Sequence, residues 1–198
     1  MKKCFAIFIV LFCSISTYAQ LTIPDFKDNT TGKTKPPFLT YVNKYDLILA
    51  VRAYSSWSRK AEYHLVVLGG GHWKKLIYQQ PNISDPLLLQ KPPINEKPAN
   101  DFLCDLLFSK LIGAHLFTME DDSRISRCDE TKEMVNGQTV VNSYMVSDGP
   151  EYSIWIVTPG KSRQLYYYAP KYFNAHCSPD EHNREYAMNV MNIFNSEW

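Results

Sequence analysis

EYHLVVLGGGHWKKLIYQQP at residues 62–81 and EYSIWIVTPGKSRQLYYYAP at residues 151–170 align without a gap at an offset of 89 residues. Identities fall at Glu62/Glu151, Tyr63/Tyr152, Gly71/Gly160, Leu76/Leu165, Tyr78/Tyr167 and Pro81/Pro170, and similar residues at Leu65/Ile154, Val67/Ile156 and Lys74/Arg163. Each stretch reads as two strands around a glycine turn. Tyr63, Leu65 and Val67 alternate with Glu62, His64 and Val66, the period of two that gives a strand one buried face. Gly69, Gly70 and Gly71 in one stretch, and Pro159-Gly160 in the other, supply the backbone angles of a tight reversal.

Working outward, another candidate strand precedes each hairpin, at residues 47–54 and 139–146. The first also fits a helical face through Leu47, Val51 and Tyr54. A helix is expected after each hairpin. At residues 101–112, Asn100 is the cap, Leu103, Leu106, Leu107 and Leu111 form an apolar stripe, and Gly113 marks the end. The later helix is introduced by Ser178-Pro179-Asp180-Glu181, with the elements of a capping box, followed by Tyr186, Val190, Met191 and Phe194 on one face. The pattern predicts an α+β protein: an antiparallel β-sheet with helices packed on one face, built as an internal duplication of a strand-hairpin-helix unit.

The organisation expected is a signal peptide at 1–19, an N-terminal arm at 20–44, a first half at 45–119, a charged connecting loop at 120–138 and a second half at 139–198, all within one compact domain. Residues 1–19 combine Lys2 and Lys3, an apolar run over 5–12 and Thr17-Tyr18-Ala19 before Gln20, the layout of a secretory signal. The apolar run is too short for a membrane anchor, so no stable membrane insertion is expected after cleavage. The destination is then periplasmic or extracellular. The arm carries polar and Pro-Pro segments and reads as mobile or as an edge segment; residues 82–98 are proline-rich and read as an extended connection.

The 198 residues hold 21 Lys plus Arg against 20 Asp plus Glu. Loss of Lys2 and Lys3 leaves 19 against 20, a net charge of −1. That balance argues against nucleic-acid binding, which works by neutralising phosphates. With 45% hydrophobic residues, 13 Tyr and 4 Trp, the chain has the means to bury a core.

Three cysteines follow the signal: Cys104, Cys128 and Cys177. Cys104 projects beside leucines, where a free thiol behaves as a small hydrophobe. The reading therefore pairs Cys128 with Cys177, a disulfide adding about 4 kcal/mol in the chain-entropy model. Cys104 pairing with either partner is left open.

The motifs of chemistry point away from several reaction classes. Gly69-Gly70-Gly71-His72 is followed by a strand, whereas a phosphate-cradling loop opens a helix. The Walker pattern, the dinucleotide fingerprint and the G-x-S-x-G elbow are missing. His176, Cys177 and His182 are the densest set of metal-ligand types, but neighbouring residues on a chain point apart and Cys177 has a disulfide role. They are read as ordinary surface residues, and no metal or cofactor is assigned. The runs Glu120-Asp121-Asp122 and Asp129-Glu130 lack EF-hand spacing and read as solvated loop charges.

Aromatics are the remaining clue. On a strand, Tyr166 and Tyr168 face one side and Tyr167 the other. Trp57, Trp73, Tyr166 and Tyr168 are the candidate binding residues, because these rings offer large contact area with a polar handle. The resulting expectation is an exported soluble binding protein, an inhibitor or immunity-type partner of another protein, rather than an enzyme. The alternatives are an extracytoplasmic hydrolase whose groups assemble only in space, and a carbohydrate- or small-ligand-binding module.

Overall fold

A computed structural model of the chain describes residues 21–29, 35–54, 61–80, 94–124, 130–143, 146–176 and 182–198. The strands are β1 (Leu47–Tyr54), β2 (Ala61–Gly69), β3 (His72–Gln80), β4 (Ile94–Lys97), β5 (Glu130–Val135), β6 (Gln138–Ser143), β7 (Glu151–Val157) and β8 (Ser162–Tyr168). The helices are α1 (Asp101–Gly113), α2 (Pro170–His176) and α3 (Asn183–Asn195). Six strands form one antiparallel sheet in the order β4-β3-β2-β1-β7-β8, and β5 pairs with β6 in a separate two-stranded ribbon.

Both expected hairpins are present and share the sheet. In the first, Gly69 pairs with His72 around Gly70 and Gly71, whose φ angles of 61° and 81° are those of the left-handed region. Two such residues match the twist of the flanking strands, which is why a β-hairpin selects glycine here. The hairpins even keep one pairing register: Glu62 lies opposite Gln79, and the aligned Glu151 opposite Tyr168.

The duplication of the whole unit is not confirmed. β2 and β7 flank β1 and both run antiparallel to it, so a half-turn about the β1 axis relates the hairpins and inverts their faces. Tyr63, Leu65 and Val67 accordingly belong to one core, while Tyr152 packs against the other, which contains Ile154 and Ile156. The flanking elements do not follow that rotation. β1 lies between the hairpins, but the strand expected at 139–146 is β6 and belongs to the ribbon.

One face of the sheet carries the helices. Leu47, Leu49 and Val51 of β1, Ile154 and Ile156 of β7, and Leu165 and Tyr167 of β8 pack with Cys104, Leu107, Phe108 and Leu111 of α1 and Ala187, Val190, Met191 and Phe194 of α3. α1 starts where expected, with Asn100 Oδ1 accepting the Leu103 N–H at 3.1 Å. Its buried stripe is rotated from the predicted one: Leu103 and Leu106 are exposed beside Phe102, and Phe108 is buried in their stead with the expected Cys104, Leu107 and Leu111. Anchors on β3 set that rotation. Asp101 Oδ1 accepts the Trp73 backbone N–H at 2.7 Å, and Asp105 Oδ1 accepts Trp73 Nε1–H at 2.7 Å. α3 is capped at His182 without a side-chain bond. The capping box at 178–181 lies outside the described residues.

The second face is closed over its centre by Phe38, Leu39 and Val42 of the predicted arm and by Tyr45, the first residue after it. Phe38, fully buried, meets Tyr63, Tyr78 and Trp155 at ring separations of 5.7, 6.3 and 6.5 Å, all edge-on. Such edge contacts add to the area each ring buries. Beyond this plug, in the β1-β7-β8 corner of the face, Arg52 is half-buried and Tyr166 exposed, while Ser153 and Trp155 are buried.

The acidic run is not simply solvated. Asp122 is largely buried and bonds Arg184 Nε through Oδ1 at 3.0 Å. Its Oδ2 accepts the Tyr168 N–H at 3.0 Å, its own N–H donates to Tyr166 O at 3.1 Å, and Asp121 Oδ2 takes the Tyr166 N–H at 3.4 Å. Asn29 continues the line: its N–H donates to Ser162 O, while its side chain both accepts from Gln164 N–H at 2.8 Å and donates to Gln164 O at 2.6 Å. The outer edge of β8 is thus bonded from Ser162 to Tyr168.

Candidate functional site

Across the β1-β7-β8 corner of the second face, register places Arg52 of β1 beside Ser153 of β7, and Ser153 beside Tyr166 of β8. In the next rank Tyr54, Glu151 and Tyr168 are neighbours; in the rank before, Ala50, Trp155 and Gln164. Ser153 and Ala50 are the small residues among these, and both are buried, at 4% and 0% exposed.

Arg52 is held between rings. Its Cζ lies 5.1 Å from the Tyr54 ring centroid and 5.3 Å from that of Tyr63, distances at which a guanidinium is attracted to the ring faces. Arg52 Nε and Trp155 Nε1 are both buried donors with no acceptor among the described residues. Trp198 Nε1, on the helix side beside His64, is a third. Burying an unpaired donor costs about 1–3 kcal/mol, so two on one corner of a sheet set it apart from the packed surface around it. Ser153 Oγ accepts from Gln164 Nε2 at 3.2 Å, which orients the amide across β7.

At the rim, Tyr166 is 39% exposed. Its phenol is pushed up to about 12, first by burial and then by the charge and hydrogen bond of Glu151. At neutral pH it is therefore a donor committed to Glu151. Tyr168 shares this face but is pinned: its hydroxyl donates to Val146 O at 2.6 Å and accepts from Gly149 N–H at 3.3 Å.

Of the sequence-derived binding residues, the fold brings Tyr166 and Tyr168 together. Trp73 lies on the opposite face, 6% exposed and packed on Phe108, and Trp57 is outside the described residues. Cys128 and Cys177 are also outside them, and so is their pairing. Cys104 is a free, buried thiol, pushed up by burial. His176 bonds the Tyr172 carbonyl and His182 faces Glu185. Among the described residues no three histidine, cysteine or carboxylate side chains gather as a metal site. No described helix is long and apolar enough to cross a membrane.

Arg52, Ser153 and Trp155 were missed by sequence reading. The available signal was a single arginine closing the apolar run Leu47 to Val51. A charge placed there on a central strand needs either a partner or a use.

Elsewhere on the second face, a groove of about 170 Å³ is lined by Tyr41, Lys44, His72, Lys74 and Glu96 among others. Lys74 and Glu96 pair at 3.6 Å there. Comparison of the chain with protein-family models, with curated proteins and with solved structures found no match.

Proposed function

We propose that this chain is an exported binding protein that engages another protein at the Arg52 corner of the sheet. The partner presents a hydrogen-bond acceptor, a side-chain carboxylate foremost, to Arg52 and Trp155, and packs against Tyr54 and Tyr166. One observation carries the reading: two buried donors, Arg52 Nε and Trp155 Nε1, lack acceptors among the described residues, beneath the tyrosines Tyr54, Tyr63 and Tyr166 of one corner of the sheet. A guanidinium pre-ordered by two rings loses little freedom on binding and offers a fork that matches a carboxylate. Arginine, tyrosine and tryptophan are also the residues on which protein interfaces concentrate binding energy. Export rests on the signal-like residues 1–19.

The test is affinity capture from extracytoplasmic fluid with the wild-type protein and with Arg52→Gln and Trp155→Phe variants. A stoichiometric partner retained by wild type and lost by both variants, with their circular dichroism unchanged, supports the proposal. Equal retention by the variants, or saturable binding of glycans in place of protein, overturns it.

A further inference from the structure

The two edges of the main sheet are protected in different ways. β8 is bonded along its length by Asn29, Asp121 and Asp122. β4 is four residues long, exposes Glu96 and Lys97 and is followed by Pro98. Short, charged and proline-flanked edges resist pairing with other chains. β6 has none of these devices. Its sequence QTVVNS contains no charge and no proline, and among the described residues its outer edge meets no other strand.

The ribbon that β6 belongs to also lacks a core of its own. Its turn, Asn136-Gly137, has φ angles of 53° and 79°, so the hairpin is tightly specified. Met134, Val135, Val140 and Val141 are nevertheless 71, 48, 39 and 47% exposed. They occupy both faces, because Met134 lies opposite Thr139 and Val135 opposite Gln138. A two-stranded ribbon is marginal alone and gains independent stability when a further strand joins it.

Register decides which strand fits. When two identical strands pair antiparallel about a twofold axis, facing residues alternate between pairs that both point their amides at the partner strand and pairs that both point them away, so a residue meets itself or one an even number of positions away. For β5, the two longest such pairings centre on Lys132 or Glu133 and set like charges directly opposite, which is destabilising. For β6, centring on Val140 sets Val140 against Val140 and Thr139 against Val141, with Gln138 against Asn142. β-Branched cross-strand pairs are favourable, and the charges of β5 fall on the outermost strands.

We propose that β6 pairs with β6 of a second copy of this chain, giving a four-stranded β5-β6-β6-β5 sheet about a twofold axis at Val140. The contact is small, so the dimer is a weak one, in the micromolar range. It stands independently of the Arg52 corner.

Sedimentation velocity on the intact protein from about 1 to 100 µM tests it, against the affinity scale of weak association. Wild type should pass from monomer to dimer. Val140→Lys, which sets lysine against lysine, should weaken the dimer at least 10-fold, and Arg52→Gln should leave it unchanged. Val140→Cys should give a disulfide-linked dimer on oxidation that the outer-strand Met134→Cys does not, a readout that stands even where the lysine variant misfolds. A wild-type monomer throughout, a dimer unmoved by a folded Val140→Lys protein, or equal cross-linking at the two positions would overturn the proposal.

Discussion

Arg184 Nε donates to Asp122 Oδ1 at 3.0 Å, and this bond locks α3 to the edge of β8. Arg184 is 4% exposed, and Asp122 spends its other oxygen on the Tyr168 N–H. Removing one member of so buried a pair leaves the other charge uncompensated, which costs about 3–5 kcal/mol. Arg184→Ala should lower stability by that order in urea denaturation, while exposed Lys132→Ala should change it by less than about 0.5 kcal/mol. The double variant Arg184→Leu/Asp122→Leu should recover part of the loss on the charge side. Its recovery will be incomplete, because the Tyr168 N–H then has no acceptor.

Asn29 acts as a one-residue strand. Its side chain and backbone serve Gln164 and Ser162 through three hydrogen bonds. Asn29→Ala should cost about 1–2 kcal/mol, since two backbone groups on β8 lose their partners but gain access to water. Hydrogen exchange should locate the effect: the Gln164 amide should lose protection while the Leu165 amide, bonded within the sheet, keeps it.

Phe38 is the plug of the second face. Truncation to alanine removes a ring that touches Tyr63, Tyr78 and Trp155, and should cost about 3–5 kcal/mol by thermal or chemical unfolding. Phe38→Leu should cost less because it keeps more of the volume. The loss should exceed that of Tyr41→Ala, whose ring is 46% exposed.

The parts of this architecture legible in the sequence are those encoded by local repetition. Alternation and the glycine pair specified the β2-β3 hairpin, and Asn100 marked the start of α1. What was hidden depends on distant chain segments meeting. Leu103 and Leu106 looked like core because helical spacing alone cannot fix rotation; the Trp73 bonds to Asp101 and Asp105 do that. The run Glu120-Asp121-Asp122 looked solvated because its acceptors serve backbone amides of β8, a partner invisible in residue types. Tyr166 was read as a surface ring from strand parity. Arg52 escaped notice because its setting comes from Tyr63 on one neighbouring strand and Ser153 on the other.

The Tyr166–Glu151 pair yields a titration that reports on the candidate site. Burial and the neighbouring carboxylate raise the phenol to about 12, above the ordinary value of about 10. The folded state thus favours the neutral phenol. Its contribution to stability is complete below about pH 10 and is lost as pH rises through the folded-state value near 12. Tyrosine-selective carbon NMR, assigned with Tyr166→Phe, should show one late-titrating resonance. Glu151→Gln removes the like charge and should move that resonance toward 10, though not fully, because burial is the larger cause. If Tyr166 titrates near 10 in the folded wild type, its phenol is bonded to water and not to Glu151.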